Sequence, residues 1–178
     1  YFPDRDTLLE KLLQDFVAFL TEKMSAVSPS HTAHEESVRL STATYSRLFE
    51  QNRGMMKCLL NHYEAFPKAR GILQAFNRTW IETVVKAVKR RRRASGSGQK
   101  TVGAELLRRA YALGGMVDQY LASLYLYGDE NIVATAGKLD DVVNTLTFIW
   151  IQTFKDQFET TAPLKPLAAP APSLAFGH

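Results

Sequence analysis

Apolar residues recur at the spacing of an α-helix along most of this chain, and nowhere do they alternate with polar residues as in a half-buried strand. The clearest example lies between positions 67 and 93. Its apolar stripe consists of Ile72, Leu73, Phe76, Trp80, Val84 and Val88. Because each stripe must be buried against other helices and the connections are short, the pattern predicts an all-α fold, an antiparallel helical bundle.

Spacing and turn residues divide the chain into about six helices. They are expected at 4–26, 32–49, 55–63, 67–93, 102–127 and 130–158. Pro3 presets the backbone for a helix and Asp4 is a favourable N-cap, so the first helix should begin there. Gly137 interrupts the pattern of the last helix and is a candidate break point.

One compact domain is expected at residues 1–160. A chain of 178 residues with 46% hydrophobic content is long enough to bury a core. Residues 94–100 contain no apolar anchor, which predicts a flexible loop. The Pro- and Ala-rich residues 161–178 predict a disordered tail.

Cysteine content and apolar runs bear on the location of the protein. Cys58 is the single cysteine, so no internal disulfide can form, which favours an intracellular, cytoplasmic protein. The most apolar uncharged run, 142–154, is too short to cross a bilayer, so no membrane contact is expected.

Positive charge is concentrated in residues 86–109, which contain nine Lys or Arg against one acid, Glu105. This segment has a net charge of +8, and since the whole chain carries +4, the remainder carries −4. A basic face for nucleic acid is therefore not indicated by the total charge. The run Arg90 to Arg93 suits a solvated helix end or a site for a protein partner better than contact with an operator.

No residue pattern points to catalysis. Nucleophile–base pairs, paired inward carboxylates and metal-ligand signatures are lacking, so the chain is not expected to be an enzyme or to need a cofactor. His31 and His34 have a spacing of three, but they lack cysteine or carboxylate partners at ligand spacing, and no metal site is predicted.

The fifth and sixth helices are apolar over more of their circumference than the rim of a monomer requires. This predicts a homodimer in which these two helices from each subunit form a four-helix seam. The side chains assigned to the seam are Leu106, Leu113, Leu124, Val142, Leu146, Ile149 and Phe154. Gly114 and Gly115 each destabilise a helix by about 1 kcal/mol relative to alanine. Close approach of helices at the seam, or room for a ligand, would explain why they are present. The seam is the favoured explanation.

Several stretches resemble the tetracycline-repressor (TetR) family of regulators, in particular the ethionamide-resistance repressor type. The opening 1–13, with the pair Tyr1-Phe2 followed by Arg5 and a Leu-Leu pair, is similar to the junction between the DNA-reading head and the first core helix. The likeness continues through 76–81, 121–123, 139–143 and 148–151. By this resemblance residues 1–3 are the end of a helix-turn-helix head, with Tyr1 the remnant of its DNA-binding part, and the head is expected upstream.

The resemblance implies a dimeric regulator, most simply a repressor, whose core binds a small apolar ligand and whose head binds operator DNA. The implied pocket lies between the first, second, fourth and fifth helices. Position by position, its lining would be Tyr45, Phe49, Asn77, Trp80, Thr83, Val84, Met116, Val117, Tyr120 and Trp150. Periodicity alone favours ordinary core for the aromatic members of this set.

Ligand chemistry and two alternative functions follow from the same residues. The lining has no pair of basic residues, so a neutral or weakly polar ligand is expected, with Asn77 or Tyr120 as its polar anchor; Arg78 would serve an anionic acyl ligand instead.

A helical scaffold that binds protein partners through 86–109 is one alternative. The other is a carrier of apolar ligands without DNA binding.

Overall fold

The computed structural model describes residues 4–27, 34–61, 66–94 and 103–155, and within these ranges the chain is helical and contains no strand. The all-α prediction is thereby confirmed for this part of the chain. The α-helices are α1 Arg5–Ala26, α2 His34–Gln51, α3 Arg53–Asn61, α4 Pro67–Ala94, α5 Gly103–Ala122, α6 Glu130–Ala136 and α7 Leu139–Phe154. Tyr1, the tail 161–178 and residues 95–100 of the predicted loop lie outside the described residues.

The first helix begins as its sequence indicates. Asp4 Oδ1 accepts a 2.7 Å hydrogen bond from the backbone N–H of Thr7, which satisfies one of the free donors of the first turn. The same bond lowers the pKa of Asp4. Asp4 is therefore the N-cap of α1.

Two predicted helices differ in the structure. The segment 130–158 is divided into α6 and α7 at Gly137, whose φ of 67° and ψ of −141° are rarely adopted by residues with a side chain. Just after it, the Asp141 carboxylate accepts a 2.8 Å hydrogen bond from the backbone N–H of Lys138 and caps the start of α7. The fifth helix ends as α-helix at Ala122 and continues as a π-helical turn, Ser123–Tyr127.

Packing centres on one pair of helices and one group of three. α2 lies along α7, and α4 lies between α1 and α5. Lys68 of α4 forms an exposed ion pair with Glu10 of α1, with 2.6 Å between Nζ and Oε2. In the described part of the chain, no helix is long and apolar enough to cross a lipid bilayer.

Five of the seven residues assigned to the dimer seam are buried within the single chain. Leu106, Leu113, Val142, Leu146 and Phe154 are at most 4% exposed in the single chain, and Leu124 and Ile149 are partly buried against the same core. The assignment is corrected for the five buried residues, because α7 uses its apolar stripe to pack on α2 and α5 of its own chain. For Leu124 and Ile149 it stays a prediction. The large apolar side chains still exposed on these helices are Leu107, Tyr111, Met116 and Phe148.

Candidate ligand-binding cavity

A cavity of about 190 Å³, partly open to solvent, lies among five helices. The longest part of its wall comes from α4, with α2 and α5 on either side. Its lining consists of Met24 of α1; Ser37, Val38, Ser41, Thr42 and Tyr45 of α2; Phe76, Asn77, Trp80, Ile81, Thr83, Val84, Ala87 and Val88 of α4; Tyr111, Gly114, Gly115, Val117 and Asp118 of α5; and Trp150 and Phe154 of α7.

Most residues predicted to line a pocket meet at this cavity. Seven of the ten are among its lining residues: Tyr45, Asn77, Trp80, Thr83, Val84, Val117 and Trp150. They come from four different helices, so only the tertiary packing brings them together. That they bind a ligand stays a prediction.

The other three predicted residues do not line the cavity. Phe49 is fully buried behind Tyr45, with the two rings edge to face and 6.1 Å between their centroids. Met116 is 41% exposed, and Tyr120 packs against the core. On α5, Gly114 and Asp118 face the cavity. Met116 and Tyr120 each lie two positions further along this helix, so they point about 200° away from it.

Asp118 is the polar residue that sequence reasoning missed. The hydroxyl of Tyr45 donates a 2.6 Å hydrogen bond to Asp118 Oδ1, which links α5 to α2. Burial raises the pKa of Asp118 to about 6, against the lowering effect of the Tyr45 hydrogen bond. Asp118 is half-buried and lines the cavity.

The pKa values of Tyr45 and Asp118 determine which of the two groups carries the proton of their hydrogen bond. Burial, followed by the nearby charge of Asp118, raises the pKa of Tyr45 well above 10. The tyrosine therefore keeps its proton at neutral pH and is the donor, and Asp118 is mostly ionised there because its own pKa lies lower.

A signal for Asp118 was present in the sequence. Asp118 follows Val117 directly and precedes Leu121 by three positions, and both of these are buried, so the acid borders the buried face of α5. A carboxylate on an otherwise apolar inward face is unusual unless it is paired or functional. The polar anchor had been expected at Asn77, which lines the cavity, or at Tyr120, which does not.

The glycine pair of α5 also lies at the cavity. A Cβ atom at Gly114 would lie 3.4 Å from Cδ1 of Ile81, at the limit of ordinary van der Waals contact, so the neighbour of this glycine is α4 of the same chain. Nothing lies within 4 Å of a Cβ placed at Gly115. Gly115 thus leaves space beside the cavity.

A smaller pocket of about 60 Å³ adjoins the cavity on the side of α1. Met24, Phe76, Trp80 and Thr83 line both spaces. These four side chains therefore form a shared wall, and a rotamer change of Met24 or Trp80 would alter both volumes.

The lining contains one carboxylate and no Lys, Arg or His. No cluster of three or more potential metal-ligating side chains occurs among the described residues.

No protein-family model matches the chain, and no curated protein matches it significantly.

Proposed function

We propose that this chain is the ligand-binding and dimerisation core of a small-molecule-responsive transcriptional regulator of TetR type, acting as a repressor. The cavity carries the proposal: it is partly open, mostly apolar, and bounded by Met24 in the last turn of α1. By the resemblance, α1 is the helix that leads away from the DNA-reading head. A ligand in the cavity would therefore touch the helix that positions the head.

The size of the cavity restricts the ligand. Its 190 Å³ slightly exceeds the roughly 150 Å³ of a cavity that holds benzene. It lies below the range of about 300–1,000 Å³ common for drug-sized ligands. A molecule with one ring, or a short branched chain, fits this space, and a longer ligand would extend through the opening.

The length of α1 provides a route from ligand to DNA. The helix has 22 residues and is about 33 Å long at 1.5 Å per residue. A tilt of about 5° made at the Met24 end moves the other end by about 3 Å over that length. Two heads must present their recognition helices about 34 Å apart, so such a displacement weakens operator binding if the ligand prefers the tilted state.

The proposed dimer uses the apolar side chains that the single chain leaves uncovered. Leu107 and Tyr111 are exposed on α5, and Phe148 is exposed on α7, where it is 62% accessible. Large apolar side chains of this kind on two packed helices are typical of a subunit contact. They replace the buried residues first assigned to the seam.

The test uses the natural protein with whatever residues precede Tyr1. Selection of genomic DNA fragments should yield one operator with two half-sites, and compounds that stabilise the core against heat should release it. Failure to bind any DNA specifically at physiological salt would contradict the regulator. Ligand binding without DNA binding would instead support the carrier.

The alternative function, a helical scaffold for protein partners, depends on a different part of the chain. It relies on 86–109, of which 95–102 lie outside the described residues. Within the described part, Arg109 already forms an ion pair with Glu105 and donates to the backbone carbonyl of Thr153. This alternative predicts capture of an acidic protein partner and no stabilisation by small molecules.

A further inference from the structure

We infer that the cavity selects small organic cations and that Asp118 holds the ammonium group of the ligand. This inference rests on the proposed ligand-binding function and adds the chemical class of the ligand, which the sequence had suggested to be neutral or weakly polar.

The carboxylate of Asp118 is incompletely paired. Among the described residues, Asp118 has one hydrogen-bond partner, the hydroxyl of Tyr45, and no cationic side chain acts on it. A carboxylate can accept about four hydrogen bonds, and an ionised group in an apolar site is costly unless it is paired. A ligand ammonium supplies both the missing charge and the missing donors.

The second carboxylate oxygen of Asp118, Oδ2, is an unused acceptor at the cavity. Tyr45 engages Oδ1 and thereby holds the carboxylate in one orientation. Oδ2 has no hydrogen-bond partner among the described residues. It is also not fully enclosed by protein atoms. Since Asp118 lines the cavity, Oδ2 is the acceptor available to a ligand.

The cavity wall around Asp118 is rich in aromatic side chains. A cation is attracted to the faces of aromatic rings, most strongly to tryptophan, and a desolvated site increases this attraction. Six aromatic side chains line the cavity besides the carboxylate: Tyr45, Phe76, Trp80, Tyr111, Trp150 and Phe154. A single acid among aromatic rings is the arrangement that recognises amines.

The charge of the wall also disfavours the opposite ligand. Arg78, which would have served an anionic acyl group, is exposed and does not line the cavity. An anion placed here would meet the ionised Asp118 without a compensating cation. The cavity therefore discriminates against carboxylates and phosphates.

The experiment compares three probes of nearly equal size: benzylamine, benzyl alcohol and toluene. Binding to this chain at pH 7.5 is measured by amide NMR titration, with the signals of Gly114 and Gly115 reporting on the cavity. Benzylamine should bind with a millimolar Kd, as expected for so few atoms, and benzyl alcohol at least tenfold more weakly.

Two variants complete the design. Asp118→Asn keeps the shape and an acceptor for Tyr45 but removes the charge, and should weaken benzylamine at least tenfold while leaving benzyl alcohol unchanged or tighter. Asp140→Asn removes an exposed carboxylate that does not line the cavity, and it should bind all probes as the parent does.

The outcomes separate the two proposals. Equal binding of amine and alcohol, or unchanged amine affinity in Asp118→Asn, would overturn the selection of cations and leave the apolar ligand site intact. No shift at Gly114 or Gly115 with any probe up to its solubility would overturn the ligand site itself, and the cation inference with it.

Discussion

Tyr45 and Asp118, which lie 73 positions apart in the chain, are joined by a 2.6 Å hydrogen bond between the hydroxyl of one and the carboxylate of the other. The bond crosses from α2 to α5 at the edge of the cavity. It orients the carboxylate, yet leaves it without a counter-charge among the described residues. A group that is costly to bury and incompletely paired is more readily explained by ligand binding than by folding stability.

Asp118→Asn should make the unliganded protein more stable at neutral pH. Burial raises the pKa of Asp118 from 3.8 to about 6, so the folded state binds this proton more tightly than the unfolded state. Wild-type stability from this group is therefore greatest below pH 3.8 and declines as pH rises to about 6. Removing the charge should add roughly 1–3 kcal/mol at pH 7.5.

Urea unfolding of both proteins from pH 4 to 8 measures this effect. The difference in the free energy of unfolding between variant and wild type should shrink as the pH falls through 6. Asp140→Asn, at an exposed position, should show no such pH-dependent gain. A variant that is less stable than wild type at pH 7.5 would contradict the buried, unpaired charge.

Tyr45→Phe should destabilise the protein at pH 7.5 by about 1.5–3 kcal/mol, the usual contribution of a hydrogen bond to a charged group. Loss of the donor also removes the one interaction that lowers the pKa of Asp118, so that pKa should rise above about 6. Carbon NMR of the Asp118 carboxyl measures it directly. In an Asp118→Asn background the same substitution should cost less, and equal costs in both backgrounds would argue against the coupling.

Phe148→Asp and Leu146→Ala should separate the subunit contact from the core. Phe148 is 62% exposed, whereas Leu146 is 2% exposed. The first substitution should shift a dimer to monomers in sedimentation analysis and leave the helical content unchanged. The second should lower the free energy of unfolding by about 2–5 kcal/mol through a buried cavity. A Phe148→Asp protein that stays dimeric would remove this surface from the proposal.

Gly137→Ala should destabilise the junction between α6 and α7 by about 1–3 kcal/mol. Besides the unfavourable backbone angles, a Cβ here would lie 2.5 Å from Oδ2 of Asp141, the atom that caps α7. Gly71→Ala in α4 is the matched control, because nothing lies within 4 Å of its added Cβ, and it should stabilise by up to about 1 kcal/mol. Thermal unfolding of the two variants should therefore move in opposite directions.

Local features of the fold could be predicted from the sequence because they depend on neighbouring residues. The spacing in α4 predicted a helix with one buried stripe, Asp4 predicted the start of α1, and Gly137 marked the break before α7. Each of these rests on backbone angles, a hydrogen bond to the next turn, or a period of 3.6 residues.

The assignment of buried faces could not be predicted in the same way, because a helical period identifies an apolar face without identifying what covers it. Leu146 and Phe154 were expected at a subunit contact and lie in the core, where α7 packs on α2 and α5. Phe49 and Tyr45 belong to one helix, yet only Tyr45 lines the cavity.

The sequence by itself determined the helices and their main boundaries, and seven of the ten side chains predicted to line a pocket do line the cavity. Only the tertiary structure decided that Asp118 is its polar centre. Its pKa and its pairing depend on how much protein surrounds the carboxyl and on which side chain faces it, and that side chain, Tyr45, comes from another helix. Burial and pairing across helices are properties of the packed chain, and the local sequence around Asp118 does not contain them.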